Sequence, residues 1–138
     1  MPFDRLDALA RVPLLAALSH AQLREVAEVF REQIFEPGST VIREGERGAR
    51  VLAFFIVVEG EATVSLGGQQ LAVLGQGEHF GEIALFNDVP RRATVTASTE
   101  LRCLALSSWE FRPFVESHPE VAWRLLESMA ERLGTDPS

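Results

Sequence analysis

The spacing of apolar residues changes character twice along this chain. In its first part apolar residues recur three and four apart, as one buried helix face requires. Leu6, Leu9 and Ala10 begin the pattern, Pro13 breaks it before 14–18, and Leu23, Val26, Ala27 and Phe30 resume it. Ser19-His20-Ala21-Gln22 stands at the restart as a capping box, so a helix is predicted there with His20 solvated at its start. Across 34–106 the period falls to two. Strands are predicted at 34–35, 40–43, 54–58, 62–66, 71–74, 93–97 and 101–106. Glu36-Pro37-Gly38, Glu44-Gly45-Glu46, Glu59-Gly60-Glu61 and Gly67-Gly68 separate several of them as turns. Short strands at such regular intervals mean a sandwich or barrel, most simply a jelly roll. Helical spacing returns after Ser107-Ser108-Trp109-Glu110, with Phe111, Phe114 and Val115. Pro119 then opens a last amphipathic helix. Val121, Leu125, Met129 and Leu133 form its stripe, Trp123, Leu126 and Ala130 lie beside it, and Gly134 and Pro137 end it.

The 138 residues, 46% of them hydrophobic, suffice for one domain with its own core. The expected division of 1–138 is helices over 3–31, a β-roll over 32–106, and a hinge and helices over 107–134. A net charge of −7 argues against nucleic acid or an anionic membrane as partner, since both demand basic surface. It leaves room for a small anion, because one arginine can dominate a pocket. The longest apolar run, 51–58, is strand-sized, far short of the roughly 18–20 residues of a membrane span. The first residues lack a basic segment followed by an apolar one, so no secretory signal is expected and the predicted location is the cytoplasm. Cys103 is the only cysteine, which excludes an internal disulfide and a cysteine zinc cluster, and its apolar neighbours predict a core thiol. His20, His79 and His118 occupy three different contexts, too few and too scattered for a metal-dependent β-roll enzyme. No nucleophile arrangement and no glycine-rich phosphate loop of the nucleotide-hydrolase type is present. A non-enzyme without metal or cofactor is expected.

The densest chemistry lies in 80–95, which reads Phe-Gly-Glu-Ile-Ala-Leu-Phe-Asn-Asp-Val-Pro-Arg-Arg-Ala-Thr-Val. Gly81 lets the backbone approach a ligand closely. The run 82–86 is predicted as a short helix whose first amides can face an anion. Arg91 supplies a planar fork of donors suited to phosphate oxygens. Glu82 can only accept hydrogen bonds, so it suits a ligand hydroxyl.

This segment resembles the phosphate-binding cassette of the cyclic nucleotide-binding domain family. Its members include regulatory subunits of cAMP-dependent protein kinase, cyclic nucleotide-gated channels and the bacterial catabolite activator. Gly81, Glu82, Ala84, Leu85, Pro90, Arg91, Ala93, Thr94 and Val95 match the cassette without a gap. The resemblance extends over nearly the whole chain and implies an eight-stranded β-roll with flanking helices and a late cassette. It further implies that Arg91 and the amides around Ile83, Ala84, Arg92 and Ala93 hold a cyclic phosphate, and that Glu82 and Gly81 take the ribose 2′-hydroxyl. The purine is then expected on Val64, Leu66 and Leu74, under a last helix that moves on ligand binding through a Ser117-His118 hinge, with Met129 and Arg132 as lid residues. Two departures stand out. The approach 47–54 to the third strand is longer than usual, and Arg92 replaces the alanine or serine common in cAMP binders and the threonine associated with cGMP. Arginine cannot accept a hydrogen bond from a guanine amine, so cAMP is expected over cGMP. The alternative is an interaction scaffold of the same fold that no longer responds to nucleotide. The chain ends soon after its last helix, without room for a DNA-reading module. It is therefore expected to act as a free-standing, bacterial-type sensor or as one domain of a larger regulator. The expected partners are a cyclic nucleotide and an effector protein that the sequence does not identify, with room for a homodimer.

Overall fold

The computed structural model describes residues 4–46, 52–81 and 91–134. Helix α1 (Arg5–Ala10) is capped by Asp4, whose carboxylate accepts the amides of Leu6 and Asp7. A 3-10 turn (Pro13–Leu15) follows where Pro13 breaks the pattern, and α2 (His20–Val29) starts at the Ser19–Gln22 capping box. Eight strands come next: β1 (Arg31–Phe35), β2 (Thr40–Ile42), β3 (Leu52–Glu59), β4 (Ala62–Leu66), β5 (Gln69–Leu74), β6 (His79–Phe80), β7 (Thr94–Ala97) and β8 (Leu101–Ser107). Helix α3 (Ser108–Ser117) is capped by Ser107 and Glu110, and α4 (Pro119–Gly134) closes the described chain. Among the described residues no helix is long and apolar enough to cross a membrane.

The strands form two antiparallel four-stranded sheets, β1-β8-β3-β6 and β2-β7-β4-β5, the jelly roll expected from the sequence. The first sheet is buried on both faces, which is why β3 reads as an unbroken apolar run. Phe54, Ile56 and Val58 pack with Leu104 and Leu106 against Leu9, Leu15, Val26, Phe30, Phe111, Phe114, Val121 and Leu125 of the helices. Phe55 and Val57 point the other way, into the roll, with Cys103, Ala105, Phe80, Val95 and Ala62. Side chains alternate along a strand, so neighbours in sequence enter separate cores. The Phe54 ring lies 5.1 Å from Phe111, whereas Phe55 stacks on Phe80 at 4.9 Å. Cys103 is fully buried, and desolvation pushes its thiol up to about 12.

Several strand ends differ from the sequence expectation by one or two residues, β3 running over Leu52–Glu59 where 54–58 was expected, and the larger departures have physical reasons. Strand β1 begins at Arg31, not at 34, because polar residues on an edge strand hide its alternation. Strand β5 begins at Gln69, not at 71, directly after the Gly67-Gly68 turn. Strand β6 has no counterpart in the prediction, since two residues cannot display a period; it pairs Phe80 with Phe55 and His79 with Ile56. The turn between β3 and β4 rests on Gly60, at φ 88°, where a Cβ would meet the Glu100 carbonyl oxygen at 2.1 Å. Only a residue without a side chain lets these two turns cross.

Candidate functional site

The two ends of the cassette are both described. Gly81 follows β6 with φ 97°, a left-handed conformation that favours glycine. Phe80 before it is buried against Phe55 and so fixes where the cassette departs from the roll. At the other end, the Arg91 guanidinium donates from Nη1 to the Gly81 carbonyl at 2.7 Å. The arginine thus reaches back across the cassette to its first residue. Its backbone is held independently: the Arg91 amide donates to the Glu46 carbonyl at 2.9 Å, and the Gly45 amide donates to the Arg91 carbonyl at 2.8 Å. With its main chain bonded to the β2–β3 turn and its side chain half-buried, Arg91 presents a fixed positive charge at the cassette mouth. Arg92 is exposed and Ala93 half-buried. Glu82, Ile83 and Ala84, together with the predicted helix 82–86, lie outside the described residues.

The expected base wall divides in two. Strand β4 pairs with β7 so that Val64 faces Val95 and Ser65 faces Thr94, which sets Val64 and Leu66 beside the exit from Arg91. Val64 is half-buried against the roll core and Leu66 is 48% exposed. Leu74 instead pairs with Ala62 at the far end of the hairpin, inside the roll core. It sits deeper than its two companions.

The helix expected to act as a lid is anchored elsewhere in this structure. Val121 and Leu125 seat α4 in the helical core, on the opposite face of the first sheet from the roll interior. Met129 is half-buried on this helix, and the Arg132 side chain lies outside the described residues. The expected hinge is a packed corner: His118 is buried, its ring nitrogen Nδ1 lies 2.9 Å from the Phe114 carbonyl, and its own carbonyl accepts the Val121 amide. A groove of about 380 Å³ runs between α4 and Pro13, Leu14, Gly77, Glu78 and His79. A second groove, about 540 Å³, opens between β1 and β2 and is lined by Phe35, Val41, Phe55, Arg43 and Trp109. Neither includes Gly81 or Arg91 among its described lining residues.

Sequence reasoning missed the part played by the β2–β3 turn. Glu44-Gly45-Glu46 reads as a simple turn, because nothing in the local pattern shows that its backbone will bond to Arg91.

The sequence matches the family model described as cyclic nucleotide-binding domain over residues 32–118. A cAMP-dependent protein kinase regulatory subunit of Yarrowia lipolytica is 43% identical over 75% of this chain and 28% of its own length. A cyclic nucleotide-gated potassium channel of Rhizobium etli is 37% identical over 94% of this chain and 35% of its own. The chain therefore spans about a third or less of these curated relatives. Among solved structures, the regulatory domain of Toxoplasma gondii PKA in co-crystal with cAMP superimposes with a TM-score of 0.76 at 29% identity, covering 93% of this chain and 49% of that one.

Proposed function

The chain belongs to the cyclic nucleotide-binding domain family, and we propose from that premise that it is a non-catalytic sensor that binds cAMP in preference to cGMP. The observation that carries this reading is the Arg91 guanidinium resting on the Gly81 carbonyl, which joins the two ends of the cassette. A cyclic phosphate arriving there meets a planar fork of donors, and a guanidinium–phosphate pair is frequently bidentate, which adds geometric specificity as well as energy. The amides around Ile83, Ala84, Arg92 and Ala93 share the phosphate, and Glu82 with the Gly81 backbone takes the ribose 2′-hydroxyl. Val64 and Leu66 receive the purine, with Leu74 behind them. The exposed Arg92 side chain cannot accept from the guanine amine, which supports the preference for cAMP.

Occupancy is passed on through α4, with Met129 and Arg132 meeting the base once that helix has moved. A ligand shifts such an equilibrium only through different affinity for the two positions. Support for two positions comes from the surface of the helix: Trp123 is 65% and Leu126 57% exposed, apolar area unused in this arrangement. These side chains equally suit an effector protein. Isothermal titration of the chain with cAMP and with cGMP tests the reading. Binding of cAMP with the higher affinity is expected; no heat with either nucleotide would leave the scaffold alternative standing. Faster or slower amide exchange in α4 on saturation is expected, and identical exchange would remove the helix from the mechanism.

A further inference from the structure

The β2–β3 turn also touches the far side of the second sheet. Glu44 Oε1 accepts the Gly67 amide at 3.1 Å and the Thr94 hydroxyl at 3.4 Å, while the Glu44 amide donates to Thr94 Oγ1 at 3.0 Å. Gly67 opens the turn between β4 and β5, and Thr94 opens β7 just beyond Arg91. Ser65 and Thr94 are register partners, so the carboxylate clips the hairpin tip onto the strand that leaves the cassette. A carboxylate suits this position because it accepts from several donors and donates to none. Gly67 brings its amide to the clip at φ 57°, a left-handed conformation that favours glycine.

The geometry points to Glu44 as a positioning residue: it sets the span between the Val64–Leu66 wall and the Arg91 guanidinium, and so selects ligands whose base and phosphate lie that far apart. This rests on the function proposed above. A cyclic nucleotide is a stiff object, its phosphate fused to the ribose and its base one bond away. Both ends gain full contact only if wall and arginine already stand at the matching separation, which is what preorganisation contributes to affinity. Glu44 touches no ligand in this scheme. It acts through the hairpin, whose tip it holds at a fixed distance from the phosphate end.

The test uses the whole chain and two probes, cAMP and the base-free ribose 3′,5′-cyclic phosphate. Glu44→Ala should weaken cAMP about fivefold, the size of one modest hydrogen bond, and leave the base-free probe within about twofold. Only cAMP depends on both ends. Glu44→Gln, which keeps an acceptor at the same reach, should restore cAMP affinity. Equal losses for both probes, or no loss for either, would overturn the proposal. Amide exchange in the ligand-free chain supplies an independent arm. The Gly67 amide should exchange faster in Glu44→Ala and regain protection in Glu44→Gln; unchanged exchange would overturn the clip itself. A wild-type chain that binds neither probe overturns the function reading and the ligand selection together, and faster Gly67 exchange in that chain's Glu44→Ala variant would still confirm the clip.

Discussion

The first sheet buries side chains on both faces, Phe54, Ile56, Leu104 and Leu106 against the helices and Phe55, Val57, Cys103 and Ala105 inside the roll, whereas the second buries only one. Strands β2, β4, β5 and β7 read TVI, ATVSL, QQLAVL and TVTA, without a single charge. Their outward residues are Thr63, Ser65, Thr94, Thr96 and Val73, and five successive residues of β5, from Gln69 to Val73, are exposed. The two sheets share a topology but divide the labour. The first is a wall between two cores and carries much of the stability. The second is packed on one face only, and the wall and exit strand of the candidate site belong to it. A binding surface needs some freedom to close, and it is drawn from the less stable part of a fold.

The largest effect that can break this division comes from a pair of truncations. Phe54→Ala, in the first sheet, should cost about 3–5 kcal/mol, since the ring is fully buried and lies against Phe30 and Phe111. Val64→Ala, in the second, should cost about 1 kcal/mol while weakening nucleotide binding. Urea unfolding monitored by fluorescence measures both, and similar losses of stability would erase the distinction between the sheets.

Arg91→Ala sharpens it from the other side. Binding of cAMP should weaken at least about tenfold, because a hydrogen bond to a charged group contributes about 1.5–3 kcal/mol. The unfolding midpoint should move far less than in Phe54→Ala. Calorimetry and thermal melting together decide, and undiminished affinity would remove Arg91 from the site.

A further effect, tied to the first sheet alone, is confined to alkaline pH. Burial raises the Cys103 thiol from 9.0 to about 12 in the folded chain. Between those values the unfolded chain has released its proton and the folded chain has kept it, so stability falls as pH rises. The slope approaches about 1.4 kcal/mol per pH unit at its steepest, vanishes below the unfolded value and levels off above the folded one. In Cys103→Ala this contribution to the pH dependence should disappear. A wild-type slope across pH 9–11 equal to that of the variant would show that the thiol ionises alike in both states.

How much of this could be read from the sequence follows the same division. Strand β3 and the helices around it were legible because burial on both faces writes a continuous apolar run and helical stripes. The Ser19–Gln22 and Ser107–Glu110 caps were legible because their chemistry is local. Strand β6 was not, and neither was the polar start of β1, because an edge position or a two-residue length leaves no periodic trace. In the candidate site, the cassette showed itself through residue types at fixed offsets. The bonds from Gly45 and Glu46 to Arg91, and from Glu44 to Thr94, join turns far apart in sequence and depend on how the sheets close. The depth of Leu74 and the seat of α4 in the helical core depend on three-dimensional packing in the same way.

Gly60 sets a limit of another kind. Any side chain there would collide with the Glu100 carbonyl and would also have to adopt a left-handed backbone. Elsewhere a lost contact can be replaced by a neighbour of different shape, as cores readily accept new combinations of similar volume. At this crossing of two turns no compensating substitution exists short of remaking both loops. Over evolutionary time the two cores can therefore drift residue by residue, while Gly60 is expected to stay fixed in every descendant that keeps this crossing of turns.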